Sequence, residues 1–262
     1  MQEAIAGQLT ADWRKQNPIQ KGNPATDAAA LLAKIKAEKQ QLIADGKLKK
    51  EKPLAEIAID EIPFSIPNNW VWCRLGDICT KIGSGSTPKG SDYSEIGTPF
   101  FRSQNIHNNG LVFTDIKYIS PEMHKKMNGT AVLNGDLLLN ITGGSLGRCS
   151  LVPEQINDGN VSQHVCIIRP VLSNNKFFHF LVLSPLFQTF VFKQTTGAGR
   201  EGLPKYNLEK FVILLPPLAE QKAIVEKVNK LMNIIDRLEQ QIKHRKQLAE
   251  ALMQTVLREA FE

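Results

Sequence analysis

Residues 218–262 read LAEQKAIVEKVNKLMNIIDRLEQQIKHRKQLAEALMQTVLREAFE and contain neither proline nor glycine. Nine of eleven positions spaced alternately by four and three residues are apolar, which is the 3.5-residue repeat of a coiled coil. As a single helix the stretch would be about 65 Å long, too long to pack only on one small domain. We therefore predict that it pairs with another long helix. The alternative is a long helix that lies along its own domain.

The same repeat predicts which residues face the partner helix. Arg245 and Glu259 occupy the two positions of the ladder that are not apolar, and Arg245 is expected to pair with an acidic group or to mark a docking point. The nine apolar positions, predicted to form a dimerisation seam, are Ile224, Val228, Leu231, Ile235, Leu238, Ile242, Ala249, Leu252 and Val256.

Residues 63–217 precede this helix and consist of short β-like runs. WVWCRL, TPFFRS, GLVFTDIKYI, DLLLNI and VCIIRPV are rich in β-branched and aromatic residues and are bounded by Gly, Asn or Pro, as strands are. Phe177–Phe192 supplies at least one helix. We predict an α+β fold, in which one mixed α/β domain at residues 63–217 is followed by the long coiled-coil helix at residues 218–262.

Residues 1–62 form an N-terminal helical segment and connector. Apolar residues among charges after Ala28 fit an amphipathic helix that stops at Gly46, a residue typical of helix C-termini. Pro53 and Pro63 then predict an extended connector, because proline disfavours helix at the residue before it.

Composition excludes several classes of protein. The apolar run Phe177–Phe192 is interrupted by His179, Pro185 and Gln188, and it is shorter than the roughly 18 apolar residues of a membrane span. With no signal peptide either, we expect a soluble cytoplasmic protein.

Cytoplasmic placement disfavours disulfides. The four cysteines form no C-x-x-C pair, so we expect buried free thiols and no metal site.

The net charge points weakly to a polyanionic partner. Of the formal net charge of +6, +4 lies in residues 63–215, and an uneven basic excess is the electrostatic footprint of nucleic-acid binding. Many basic domains bind no nucleic acid, so this observation alone decides nothing.

Two glycine-rich segments resemble phosphate-binding loops but do not meet the full sequence requirements of those motifs. Gly197–Gly202 matches G-x-G-x-x-G, but the segment before it is predicted to be helical and Pro204 follows, so a donor-rich loop is the better interpretation. Gly83–Gly90 lacks the Gly-Lys-Ser/Thr ending of a nucleotide-binding loop.

The sequence also lacks the Asn/Asp-Pro-Pro-aromatic tetrad of adenine methyltransferases, a G-x-S-x-G elbow and an H-E-x-x-H helix, so we do not expect an enzyme.

The two ends of the chain share a short similarity. Glu259-Ala-Phe-Glu262 aligns with Glu3-Ala-Ile-Ala6, as if the end of one tandem unit overlapped the beginning of the next. We interpret the chain as one unit of a tandem duplication, although so short a match could also arise by chance.

Together these features resemble the DNA-specificity subunit of type I restriction–modification systems. The junction Pro216-Pro-Leu-x-Glu-Gln221 before a heptad helix is the more specific of the matching motifs. The others are Ile66-Pro-Asn-Asn-Trp70, Arg74-Leu-Gly-Asp-Ile78, Gly83-x-Gly-x-Thr-Pro88, Tyr93, Gly97-Thr-Pro-Phe-Phe-Arg-Ser-Gln-Asn-Ile106, Gly135-Asp-Leu-Leu138, Gly147, Gln163 and the Gly197–Gly202 loop.

The resemblance implies a non-catalytic subunit that reads one half of a bipartite DNA site. It also implies docking of a methyltransferase (modification) subunit and a restriction subunit, and the cofactors S-adenosylmethionine, ATP and Mg would belong to those partners. In the family a full subunit has two target-recognition domains, each followed by a long helix, and the two helices pair antiparallel. With one domain and one helix, this sequence resembles the second half of a full subunit or a natural half-size subunit, and for the half-size subunit we predict an antiparallel homodimer.

Within the resemblance, DNA contacts are expected from polar and basic residues in predicted loops. Arg and Lys suit phosphates or guanine edges, and Gln and Asn suit adenine edges. The target bases themselves cannot be predicted. The candidates are Lys81, Ser84, Thr87, Lys89, Arg102, Gln104, Asn105, Arg148, Arg200 and Lys205.

Two alternatives from other classes stay open at this stage. One is a stand-alone DNA methyltransferase or nuclease fragment, which a methylation assay of the purified chain would reveal. The other is a coiled-coil scaffold that binds only protein and would show no salt-dependent DNA binding.

Overall fold

The computed structural model describes residues 2–50, 52–88, 93–195 and 202–261. In this part of the chain helices and short strands alternate. The helices are α1 (Gln2–Ile5), α2 (Ala11–Gln16), α3 (Ala28–Ala44), α4 (Leu75–Ile78), α5 (Pro121–Lys126), α6 (Asn175–Val182), α7 (Pro185–Thr195), α8 (Lys205–Lys210) and α9 (Leu218–Phe261). Four short 3-10 helices lie at Ile59–Glu61, Ser103–Asn105, Asn128–Thr130 and Gly143–Ser145.

The strands form two four-stranded sheets and two small pairs. They are β1 (Val71–Arg74), β2 (Cys79–Ser84), β3 (Tyr93–Ser94), β4 (Thr98–Phe101), β5 (Ile106–His107), β6 (Gly110–Leu111), β7 (Lys117–Ile119), β8 (Leu137–Asn140), β9 (Cys149–Leu151), β10 (Asn160–Val161), β11 (Val165–Pro170) and β12 (Val212–Leu215). The first sheet has the antiparallel order β2-β11-β8-β9, and the second has the order β10-β4-β7-β3 with β10 parallel to β4. The predicted α+β fold with a long C-terminal helix is confirmed.

The first sheet is buried on both faces, which explains the continuous apolar runs of its central strands. Along β8, Leu137 and Leu139 pack into the core that contains α6, α7 and the base of α9. Leu138 points to the other face and packs in a second core with Phe101 and Val161. Because successive strand residues face opposite sides, a strand covered on both sides needs apolar residues at every position.

β1 and β12 bring the two ends of the mixed domain together. They pair antiparallel, with Val71 opposite Leu215 and Arg74 opposite Val212. The connector therefore enters the domain beside the point where the chain leaves it for α9. The predicted domain boundaries, residues 63–217 and 218–262, stay predictions.

The N-terminal helix forms as the sequence predicts. The Asp27 side chain caps α3 by accepting hydrogen bonds from the backbone N–H groups of Ala29 and Ala30, which stabilises a helix start. The helix ends at Ala44, and Gly46 follows with a φ of 71°, a conformation that glycine adopts at low cost. The apolar run Phe177–Phe192 forms two helices, α6 and α7, separated at Leu183 and Ser184 before Pro185.

The first turns of the long helix belong to its own domain, which corrects part of the predicted seam. Ile224 is 0% exposed and Val228 is 5% exposed, and both lie in the largest apolar core. Neither side chain is available to a partner helix. From Leu231 onward the helix leaves the domain, and the remaining seam residues are exposed.

A buried carboxylate fixes the base of α9. Glu220 is fully buried and accepts hydrogen bonds from the Thr10 hydroxyl (2.7 Å), the Asn69 amide (2.9 Å) and the Trp70 indole (2.8 Å), and it pairs with Arg14 at 2.5 Å. Since a buried charge is tolerated when it is paired and fully hydrogen-bonded, this network ties the helix start to the N-terminal segment and to the domain entrance.

Its neighbour Gln221 forms a second anchor on the other side of the helix. Gln221 is also fully buried, accepts a hydrogen bond from the Asn174 N–H (2.9 Å) and donates one to the Pro216 carbonyl (2.9 Å). The Pro-Pro-Leu-x-Glu-Gln motif thus provides two buried polar side chains that hold the helix from both sides.

All four cysteines are buried free thiols. Burial raises the pKa of the Cys166 thiol to about 12 and the pKa values of the other three further. No described helix is long and apolar enough to cross a membrane.

Candidate nucleic-acid interface

Four of the residues predicted to contact DNA lie around one cleft in the mixed domain. The cleft has a volume of about 580 Å³ and is formed by loops that follow β2, β4, β8 and β10. Most of its lining residues have polar side chains. The lining residues are Thr87, Tyr93, Arg102, Ser103, Gln104, Gly144, Ser145, Arg148, Ser162 and His164.

The segment after β4 presents a guanidinium group to the cleft. Arg102 donates from Nη2 to the Asp115 carbonyl at 2.7 Å, and exposed Gln104 follows two residues later. Asn105 is fully buried: its Oδ1 accepts from the Arg102 backbone N–H (3.0 Å) and its Nδ2 donates to the Val112 carbonyl (2.9 Å). Asn105 therefore cannot reach DNA as predicted, because its amide is used to shape the turn that carries Arg102.

A buried asparagine at the end of β8 joins two of the cleft loops. The Asn140 amide Nδ2 donates to the Ser103 carbonyl at 2.9 Å and to the Ser145 hydroxyl at 3.0 Å. The sequence analysis missed this residue. Its position directly after the apolar run Leu137–Leu139 was the available signal, since a polar side chain that ends a buried strand lies at the edge of a core.

The turn between β10 and β11 closes the cleft and contacts the glycine-rich loop. The Thr87 hydroxyl hydrogen-bonds Gln163 Oε1, and His164 Nδ1 lies 2.8 Å from the Thr142 hydroxyl. Gly85 fits here because a Cβ at its position would collide with the Val161 carbonyl. The match of Gly83–Pro88 to the motif thus reflects a close backbone approach between two loops.

Three buried polar atoms at the cleft have no hydrogen-bond partner among the described residues. They are Arg102 Nε, Ser162 Oγ and Asn140 Oδ1. Buried polar atoms in folded proteins are nearly always hydrogen-bonded, and exceptions call for an explanation.

Three other predicted contacts, Ser84, Lys81 and Lys205, do not line the cleft. Ser84 is exposed at the end of β2, three residues before Thr87. Lys81 Nζ donates to the Gly129 carbonyl, and Lys205 pairs with Glu209 at 2.9 Å. Lys89 and Arg200 fall outside the described residues.

The cleft offers recognition chemistry and no metal chemistry. Guanidinium, amide, hydroxyl and imidazole groups are the side chains with which proteins read base edges and phosphates. No group of three or more His, Cys, Asp or Glu in the described ranges is placed to hold a metal ion.

The mixed domain with its loop cleft is followed by a long helix that is fixed at its base. The family model for the type I restriction modification DNA specificity domain matches residues 67–245. The chain belongs to this family.

Curated relatives agree with the family assignment. The specificity subunit of the type I restriction enzyme EcoEI from Escherichia coli is 31% identical over 87% of this chain and 39% of its own length. That of EcoAI, also from Escherichia coli, is 28% identical over 96% of this chain and 42% of its own length. The chain thus spans about two fifths of these relatives. The predictions of a specificity subunit and of a chain that is not itself the enzyme are confirmed.

Solved structures share the fold. One, described as the structural basis of complex assembly and conformational transition of the type I R-M system, matches with a TM-score of 0.62 at 19% identity, over 100% of this chain and 59% of the other. The HsdS subunit from Thermoanaerobacter tengcongensis matches with a TM-score of 0.51 at 17% identity, over 91% of this chain and 52% of the other.

Proposed function

We propose that this chain reads one half of a bipartite DNA site through the cleft around Arg102 and Arg148. The exposed side chains of Gln104 and Arg148 carry the proposal, because they line the same cleft as Arg102 on a DNA-specificity domain. Arg reads guanine and Gln reads adenine by bidentate hydrogen bonds in the major groove.

The chain would act by placing catalytic partners on the DNA. Modification and restriction subunits of a type I system would dock on it and would bring S-adenosylmethionine, ATP and Mg with them. The relatives are named as subunits of type I restriction enzymes, which supports this assignment.

The exposed seam on α9 supports a second copy of this chain as a further partner. Leu231, Ile235, Leu238, Ile242 and Leu252 are between 45% and 67% exposed. Burying a large apolar side chain is worth about 1.5–3 kcal/mol, so this seam favours an antiparallel pair of α9 helices.

The cleft is tested in two steps. Adenine methylation is first mapped by sequencing in cells that carry the modification subunit with and without this chain, which yields the target. Binding of the complex to a duplex with that target and to a scrambled duplex is then compared for the wild type and the Arg102→Ala/Arg148→Ala variant. Loss of one bidentate contact costs about 1–3 kcal/mol, or about 5- to 150-fold in preference for the target.

The control is Lys176→Ala, which removes an exposed positive charge from α6 outside the cleft. This variant should keep the wild-type preference. An Arg102→Ala/Arg148→Ala variant with unchanged preference would show that the bases are read elsewhere.

A further inference from the structure

A second concave surface is strongly basic and separate from the cleft. It has a volume of about 660 Å³ and lies between α3, the connector that follows it, α4 and α8. Two carboxylates, Asp77 and Glu209, also line it. We call it the lysine groove, after the six lysines in its lining: Lys36, Lys39, Lys49, Lys52, Lys205 and Lys210.

Half of these lysines already have partners within the chain. Lys39 donates to the Gly76 carbonyl at 2.5 Å, Lys205 pairs with Glu209, and Lys210 lies 3.9 Å from the centre of the Tyr206 ring. Glu209 neutralises Lys205, whereas the contacts of Lys39 and Lys210 keep positive charge along the wall of the groove.

The other three lysines are exposed and carry unneutralised charge. Lys36, Lys49 and Lys52 form no ion pair with any carboxylate in the part of the chain that the structure describes.

The lysine groove and the cleft are joined by β2. Gly76 and Asp77 line the groove just before β2 begins at Cys79, and Thr87 lines the cleft just after β2 ends at Ser84. The six residues of β2 span about 20 Å at 3.3 Å per residue.

Strand β2 also carries one lysine, Lys81. Lys81 lies in the middle of β2, and burial lowers the pKa of its ammonium group, as do the nearby positive charges of Arg169 and Lys205. Lys205 lines the groove, where it is paired with Glu209.

We propose that the lysine groove holds the phosphate backbone of the DNA that flanks the half-site read by the cleft. This inference rests on the proposed function and adds to it a sequence-independent contact. A separation of about 20 Å corresponds to about six base pairs at 3.4 Å per step. Lys36, Lys49 and Lys52 are the residues that neutralise the phosphates.

An acidic protein is the other class of partner that such a groove could attract. Duplex DNA is favoured because it is a polyanion, the groove lining has six lysines against two carboxylates, and the chain belongs to a family of DNA specificity domains. Phosphate contacts from lysine fix the position of a protein on the duplex and carry no sequence information.

The test uses the full chain and a triple variant, Lys36→Gln/Lys49→Gln/Lys52→Gln. The matched control is Lys34→Gln/Lys47→Gln/Lys50→Gln, which removes three exposed lysines from the same segment that do not line the groove. Fluorescence anisotropy with a scrambled 30-base-pair duplex is measured over a series of salt concentrations. The slope of log K against log salt should fall by about 2.7 in the groove variant, or about 0.9 for each lost phosphate contact.

A second measurement locates the contact along the DNA. Duplexes carry the mapped target with flanks of either 4 or 15 base pairs. The wild type and the control should bind the long-flank duplex more tightly, whereas the groove variant should bind the two alike. The groove variant should keep the wild-type preference for target over scrambled DNA.

The outcomes separate this inference from the proposed function. A groove variant with an unchanged salt slope and an unchanged flank effect overturns the phosphate contact, even where target preference persists. If that variant instead binds the modification subunit more weakly, the groove is a protein site and the inference is wrong. A wild type that does not prefer its target contradicts the proposed function, while a slope change in the groove variant alone would still support the groove.

Discussion

At the scale of single residues, the junction Pro216-Pro-Leu-x-Glu-Gln221 has a structural explanation. Glu220 collects four donors from the N-terminal segment and the domain entrance, and Gln221 bonds the start of α6. Neither residue lies in the cleft. They are positioning residues, which set where α9 begins and in which direction it leaves the domain.

We expect Glu220→Ala to destabilise the protein by about 3–5 kcal/mol, because it removes the ion-pair partner of Arg14 and leaves the buried donors of Thr10, Asn69 and Trp70 without their acceptor. Urea unfolding gives the measurement. The control is Glu226→Ala, an exposed position on the same helix, which should change stability by less than about 0.5 kcal/mol. Equal midpoints for the two variants would contradict the role of Glu220.

At the scale of elements, α9 has two parts with different functions. The first turns pack in the core through Ile224 and Val228. The rest, from Leu231 to Phe261, is exposed and carries an apolar seam that nothing in the described chain covers. The predicted repeat is continuous across both parts, because core packing and coiled-coil pairing use the same 3.5-residue spacing.

We expect wild-type protein to be a dimer by light scattering at micromolar concentration, and Ile235→Asp/Leu238→Asp to be a monomer. The two introduced aspartates would be buried in an apolar seam without a charged partner. The free energy lost by desolvating them exceeds what the remaining apolar contacts contribute. Asn233→Asp/Gln240→Asp adds the same charge outside the ladder and should stay dimeric. A monomeric wild type would refute the pairing.

The sequence predicts the secondary-structure elements better than it predicts how they pack against one another. Strand composition and helix caps locate β8, β11, α3 and α9, since these signals are local. The partial burial of the seam was not predictable, because it depends on how α9 meets α6 and the N-terminal segment. At the site, the composition of the loops was sufficient to predict Thr87, Arg102, Gln104 and Arg148. The burial of Asn105 and the hydrogen bonds that Asn140 makes to two loops depend on tertiary packing, so they could not be predicted.

At the scale of the whole molecule, the proposed dimer would have a two-fold axis across the paired α9 helices. Two identical recognition domains would then face opposite strands of the same duplex. Symmetry in the protein requires matching symmetry in the DNA that it reads.

We expect methylation mapping to return an inverted bipartite motif, with two identical half-sites and a spacer of fixed length. Cells that carry Ile235→Asp/Leu238→Asp in place of the wild type should lose methylation at that motif, whereas Asn233→Asp/Gln240→Asp should retain it. A motif with two different half-sites would mean that another domain supplies the second half.

The anchored base of α9 also makes the helix a lever arm. From Leu231 to Phe261 the arm runs for about 46 Å at 1.5 Å per residue. A rotation of one degree at the pivot displaces its tip by about 0.8 Å, so about four degrees equal the 3.4 Å rise of one base pair. In the proposed dimer, angular tolerance at Glu220 and Gln221 would therefore become tolerance in the number of base pairs between the two half-sites.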